Sequence, residues 1–192
     1  MKRVAITGAQ GSGKTYISMR FAALGVPVLI IDQVVKQLQS SNLDVISKTK
    51  KRFPMCFVNG QMLHETFRKI LFFDNTGKNL KDLADILRPH LLEEFNKFCD
   101  EHSNKKWVLI ESALIYEYKV EDLFDEIIFV KSDTKMRKRM AIKRDGITSK
   151  EYDMRMKSQL SDEYKIEKSQ WVIQNDYTDK VYDSVDKIFE MI

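Results

Sequence analysis

Arg3-Val4-Ala5-Ile6-Thr7-Gly8-Ala9-Gln10-Gly11-Ser12-Gly13-Lys14-Thr15 decides the reading of this chain. It opens as a short apolar run, the pattern of a buried strand, and then turns on glycines. Residues 14–24 follow, with Ile17, Phe21 and Leu24 on one helical face and Gly25 as the stop. Residues 8–15 spell G-x-x-x-x-G-K-[ST] in full. A triphosphate chain carries dense negative charge and needs several donors at once. Gly8, Gly11 and Gly13 allow backbone amides to curl inward around it, with Ser12 between them. The helix that starts near Gly13 aims its positive end at the same anion. Lys14 reaches the β- and γ-phosphates, and Thr15 offers a hydroxyl to Mg²⁺. The pattern predicts an ATP and Mg²⁺ site that also takes in the adjoining Tyr16.

Further apolar runs lie downstream. Residues 27–31 read as a strand covered on both faces and ending at Asp32; residues 107–110 as one ending at Glu111. Residues 126–130 and 171–173 add two more, the last closed by Asn175. Residues 33–102 are mostly helical in pattern, including two helices, 79–87 and 89–98, that meet at Arg88-Pro89 because proline disfavours a helical residue before it. Residues 133–143 form a basic helix broken at Asp145-Gly146. Residues 149–168 form a charged helix or helix pair, and Val181, Val185, Ile188, Phe189 and Ile192 mark a last helix. Five strands alternating with helices predict a three-layer α/β fold with a parallel sheet, the P-loop nucleoside triphosphate hydrolase architecture. Ligands of such sheets gather beyond the carboxyl ends of the strands, so Asp32, Glu111 and Asn175 are expected to converge there.

The 192 residues suit one domain, and 43% hydrophobic residues against 31% charged ones supply a real core. No run is long enough to cross a bilayer, and the first residues reach Gly8 too soon for a signal peptide, so a cytoplasmic protein without membrane contact is expected. Cys56 and Cys99 form no C-x-x-C pair, and His64, His90 and His102 form no H-x-x-x-H pair. A net charge of +4 is mild for a nucleic-acid binder, and no nucleic-acid partner is expected. The charge is concentrated: residues 131–144 carry Lys131, Lys135, Arg137, Lys138, Arg139, Lys143 and Arg144 against Asp133 alone.

A nucleotide loop serves kinases, GTP switches, larger ATPases and plain binding modules. No N-K-x-D base reader is present, and Ile110 is followed by Glu111 where the larger ATPases carry Asp. The size and the basic segment late in the chain fit a small-molecule P-loop kinase. Phosphoryl transfer to an alcohol needs a group that orients and deprotonates the hydroxyl, and positive charge around the moving group. Asp32 is the candidate for the first task, with a helix N-cap as its structural alternative. Lys14 and the arginines of 135–159 are candidates for the second.

These pieces together resemble the dephospho-coenzyme A kinase family along nearly the whole chain. Residues 6–15 are similar to the family's opening T-G-G-I-G-S-G-K-S. Leu24-Gly25-Val26-Pro27-Val28 and Ile31-Asp32 resemble its L-G-x-x-V and D-A-D, and Leu87-Arg88-Pro89 stands where it often has His-Pro. Glu111-Ser112-Ala113 resembles the spelling of bacteroidete-type relatives. Arg144-Asp145-Gly146-Ile147-Thr148, with Arg155-Met156 and Gln159, resembles the family's lid, and Val172-Ile173-Gln174-Asn175 its V-I-x-N.

The resemblance implies ATP-dependent phosphorylation of the 3′-hydroxyl of dephospho-CoA, the last step of coenzyme A synthesis. It implies a core of residues 1–32, 105–135 and 169–192, a helical substrate region 33–104 and a lid of about 136–168. It makes Asp32 the base, and Lys14, Arg144 and Arg139 the charge stabilisers. It puts Asn175 near the adenine and Asp32, Arg88, Glu111 and Arg155 toward the substrate, with Thr15 on the metal. A monomer or weak homo-oligomer acting on a small molecule is expected. The lid is one residue out of step: counting forward from Ser132 puts the family's first lid arginine at Arg139, whereas counting back from Arg144 lands on Met140. Another small-molecule P-loop kinase and a non-catalytic ATP-binding module are the alternatives.

Overall fold

The computed structural model describes residues 1–74 and 76–192, in two compact units: Met1–Ile30 with Phe98–Ile192, and Ile31–Lys97. The first unit holds β1 (Lys2–Thr7), α1 (Lys14–Ala23), β2 (Val28–Ile30), β5 (Trp107–Glu111), β6 (Glu126–Ser132), α6 (Thr134–Asp145), α7 (Ser149–Lys157), α8 (Asp162–Lys168), β7 (Trp171–Asn175) and α9 (Val181–Met191). Its five strands run in the order β2-β5-β1-β6-β7, and every neighbouring pair is parallel.

Side chains alternate across this sheet, as the pleat requires. Val4, Ile6, Leu109, Ile128 and Val130 face a core with Ile17 and Phe21 of α1 and Val181, Val185 and Ile188 of α9. Ala5 and Ile127 face the other way, onto Ile115 and Tyr116. With both faces covered, the central strands read as continuous apolar runs.

Helix ends obey local chemistry. Asp133 caps α6 by accepting from the Met136 amide, and Gly146 ends it at φ 62°. Thr148 and Glu151 form a reciprocal capping box at α7, and Ser161 caps α8. The α8 side chain of Lys165, 1% exposed, pairs with Glu117 at 2.6 Å, and Arg137 of α6 pairs with Asp162.

The second unit is helical around one small hairpin: α2 (Ile31–Ser41), α3 (Leu43–Arg52), β3 (Phe57–Val58), β4 (Gln61–Met62), α4 (His64–Phe72) and α5 (Lys78–Glu101), the last as far as Lys97. Leu38, Val45, Phe53, Phe67, Leu71, Leu83 and Leu87 make its core. Asn59 and Gly60, at φ 49° and 81°, turn the hairpin. No helix among the described residues is long and apolar enough to cross a membrane.

Three local expectations are corrected. The strand expected over 27–31 is the three-residue β2, half-buried at the sheet edge, because an apolar run does not by itself separate an edge strand from a central one. Asp32 therefore ends no strand; it is exposed in the first turn of α2, where a carboxylate complements the helix dipole. β5 lies between β2 and the loop strand β1. Third, the two helices expected to meet at Arg88-Pro89 are one helix with Pro89 inside it. Leu80, Leu83, Leu87 and Leu91 form one unbroken stripe on the unit's core, and that packing outweighs the lost backbone bond.

Replacing Pro89 by Ala should therefore restore the amide that the helix lacks and stabilise the protein by about 1–2 kcal/mol in urea unfolding. A neutral or destabilising Pro89→Ala would mean that the chain breaks at Arg88 after all.

Candidate active site

The loop between β1 and α1 lies at the carboxyl end of the sheet's middle strand. Gly11 and Gly13 adopt φ 85° and 89°, where side chains are strained. They are glycine for a second reason. A methyl group at Gly11 would run into the Arg137 carbonyl, and one at Gly13 into the Asn175 amide. Helix α6 and the end of β7 thus press directly on the loop.

The carbonyls of residues 8–12 each accept from a side-chain donor, and that of Gly13 accepts the Ile17 amide at 3.1 Å. Lys14, buried, donates through Nζ to Gly8 and Ala9 at 2.9 and 3.1 Å. The Tyr152 hydroxyl reaches the Gln10 carbonyl at 3.4 Å, the Tyr177 hydroxyl that of Gly11 at 2.7 Å, and Asn175 Nδ2 that of Ser12 at 2.8 Å. In a planar trans peptide the N–H points opposite to the C=O. The amides of Gly11 and Gly13 therefore face away from these outer donors. Ser12 Oγ is buried with no hydrogen-bond partner among the described residues. Buried hydroxyls normally find partners, so an orphan here fits a site built for an added anion.

Glu111 closes β5 beside β1, in register with Ile6, and is 5% exposed. Its Oε1 accepts from Thr15 Oγ1 at 2.7 Å. A hydroxyl and a carboxylate in contact at the loop's end are the oxygen set that a hard divalent cation takes.

A second cluster ties the loop to α6 and α7. Gln10 Nε2 donates to Asp145 Oδ2 at 2.5 Å; Arg144 donates to both oxygens of Asp145, at 2.7 and 3.1 Å; Arg155 Nη1 lies 3.8 Å away. Burial alone would raise the Asp145 carboxyl, but the hydrogen bonds from Arg144 and Gln10 and the charge of Arg155 outweigh it and hold it below the usual aspartate value.

The first unit thus gathers Gly8, Gly11, Ser12, Gly13, Lys14, Thr15, Glu111, Arg144, Arg155 and Asn175. Arg139 is exposed on α6. Tyr16 turns its hydroxyl to Asp179 at 3.3 Å and to the Tyr182 hydroxyl, which pushes its phenol up to about 12. Asp32 and Arg88 belong to the second unit, and both are exposed. Gln10 and Asp145 entered the sequence reading only inside the loop and lid motifs, and Tyr152 and Tyr177 not as site residues. Asp145 carried a signal, since it adjoins Arg144 at the helix end; the two tyrosines carried none.

The five-stranded parallel sheet with this loop defines a P-loop kinase fold. Among solved structures, a Thermus thermophilus protein, TT1252, matches with TM-score 0.84 at 23% identity, over 99% of this chain and 96% of that one. A dephospho-CoA kinase from Campylobacter jejuni matches with TM-score 0.63 at 16% identity, over 99% and 96%. A Bacteroides fragilis dephospho-CoA kinase is 29% identical over 181 residues, 91% of this chain and 84% of the relative. The dephospho-CoA kinase family model matches residues 2–180, and the chain belongs to that family.

The depressed Asp145 carboxyl has a signed consequence. Its stabilising contribution is complete above the unfolded aspartate pKa of about 3.9 and is lost as pH falls through the lower folded value. Thermal midpoints measured below about pH 4 should fall more steeply in the wild type than in Asp145→Asn. Identical acid limbs would show that the cluster carries no stability.

Proposed function

We propose that this chain transfers the γ-phosphoryl group of ATP to the 3′-hydroxyl of dephospho-CoA, giving CoA and ADP. Family membership over residues 2–180 carries the reading. The loop geometry supports the nucleotide half of it: carbonyls held by outer donors, a buried ammonium and an orphaned Ser12 hydroxyl.

On this reading Gly8, Gly11, Ser12 and Gly13 cradle the phosphates, and Lys14 brings its positive charge to the phosphate oxygens while its ammonium holds the Gly8 and Ala9 carbonyls. Thr15 would hold Mg²⁺ with Glu111 behind it, and the ion would supply positive charge at the phosphates. Arg144, Arg155 and Arg139 add positive charge around the moving group, on a lid formed by α6, α7 and α8. The contact of Gln10 with Asp145 supports the pairing of that segment with the loop. Asp32 takes the hydroxyl proton, which an exposed carboxylate at a helix start is free to do. Residues 33–104, with Arg88, receive the acceptor. The enzyme works in the cytoplasm as a monomer or weak homo-oligomer.

ADP release coupled to a reporter should depend on dephospho-CoA, Mg²⁺ and ATP together. Folded protein that dephospho-CoA fails to stimulate would remove the reading. Asp32→Asn should lose about 10²–10⁴-fold in turnover while keeping its affinity for ATP. Normal turnover in that variant would remove Asp32 as the base.

A further inference from the structure

The geometry points to Tyr177, acting with Asn175, as a positioning residue that sets the peptide planes of the nucleotide loop from outside. The inference rests on the nucleotide half of the reading above and is independent of which acceptor is phosphorylated.

Two successive carbonyls are gripped from one turn. The Tyr177 hydroxyl holds that of Gly11 at 2.7 Å, and Asn175 Nδ2 holds that of Ser12 at 2.8 Å. The turn is itself locked. Asn175 Oδ1 accepts the Tyr177 amide at 2.9 Å, and Asp176 Oδ1 accepts the amide and hydroxyl of Thr178 at 3.0 and 2.6 Å. The orientation of the Asn175 amide follows from its partners, because only its nitrogen can donate to a carbonyl and only its oxygen can accept from an amide.

Tyr177 sits at φ 63°, a left-handed conformation that aromatic residues rarely adopt. Such strain persists only where the surroundings hold it. Here it accompanies the delivery of a half-buried phenol to a carbonyl 166 residues away in sequence. Burial pushes that phenol up, so it remains a proton donor through the neutral range.

Without the phenol, the peptide between Gly11 and Ser12 keeps only the bond of the Ser12 amide to the Ala9 carbonyl, at 3.1 Å, and rotates more easily, since glycine permits it. A rotated plane turns an oxygen toward the phosphates. The cost falls on nucleotide binding more than on the fold. Tyr152, at 3.4 Å from the Gln10 carbonyl, makes a weaker version of the same contact from α7.

Tyr177→Phe deletes the hydroxyl alone. Tyr116→Phe is the control: its hydroxyl bonds Ser169 at 2.8 Å, and neither residue touches the loop. Titration calorimetry with MgADP and MgATP should show Tyr177→Phe weakened about tenfold for both, the loss expected of one hydrogen bond. Tyr116→Phe should bind as the wild type does, with a thermal midpoint lowered at least as much as that of Tyr177→Phe. In turnover the loss should appear in KM for ATP, with kcat little changed.

Wild-type affinity in Tyr177→Phe would overturn the inference. So would equal weakening in both variants, which would mark a loss of general stability. A wild-type protein that binds nucleotide normally but ignores dephospho-CoA would remove the acceptor assignment and leave this inference standing. A wild-type protein that binds neither nucleotide would overturn both.

Discussion

A loop binds phosphate through its amides only if its carbonyls are engaged elsewhere, because each carbonyl turned inward repels the anion that the neighbouring amide attracts. In this chain that constraint is met carbonyl by carbonyl over residues 8–12: Lys14 takes two, and Tyr152, Tyr177 and Asn175 take one each. Gly11 and Gly13, at positive φ, make the path possible. They also leave room for Arg137 and Asn175, which a side chain would displace. The rest of the first unit can be understood as the frame that brings those donors to the loop: β1 aims it, β7 ends in Asn175, and α6 and α7 close over its other side.

Charge is arranged around the same loop with few uncompensated groups. Lys14 is buried against carbonyls, Glu111 against the Thr15 hydroxyl, and Asp145 against Arg144 and Gln10. Each of these groups meets its partner at the loop itself or at the helix end that touches it. The Lys165–Glu117 pair is the contrast: almost wholly buried, it fixes α8 to the segment after β5.

The sheet was legible because its strands are short continuous apolar runs, as strands covered on both faces are, and the loop because its spelling is dictated by phosphate chemistry. The limits of the sequence are equally physical. Apolarity did not reveal that β2 lies at an edge, so Asp32 was read as a strand end when it opens a helix. Proline chemistry argued for a break at Arg88-Pro89, whereas a continuous leucine stripe on α5 decided otherwise. The Asn59-Gly60 turn was a usable hairpin signal that helical patterning on either side obscured. Within the site, Lys14 and Thr15 came from the motif. Tyr177 was invisible, because its function depends on a backbone conformation that its residue type disfavours. Asn175 was noticed for its place at a strand end, yet its amide nitrogen holds the nucleotide loop and its amide oxygen the turn that carries Tyr177.

The most direct measurement is the backbone amide spectrum of isotope-labelled protein titrated with MgATP. With the carbonyls of Gly11 and Ser12 held by Tyr177 and Asn175, the amide protons of residues 11–15 should move downfield on binding, Gly13 among the most. The Asn175 side-chain amide resonances should persist in their bonded positions. Amides of the loop that stay unmoved while nucleotide binds elsewhere would contradict the account, as would an Asn175 amide that exchanges freely with solvent in the bound state.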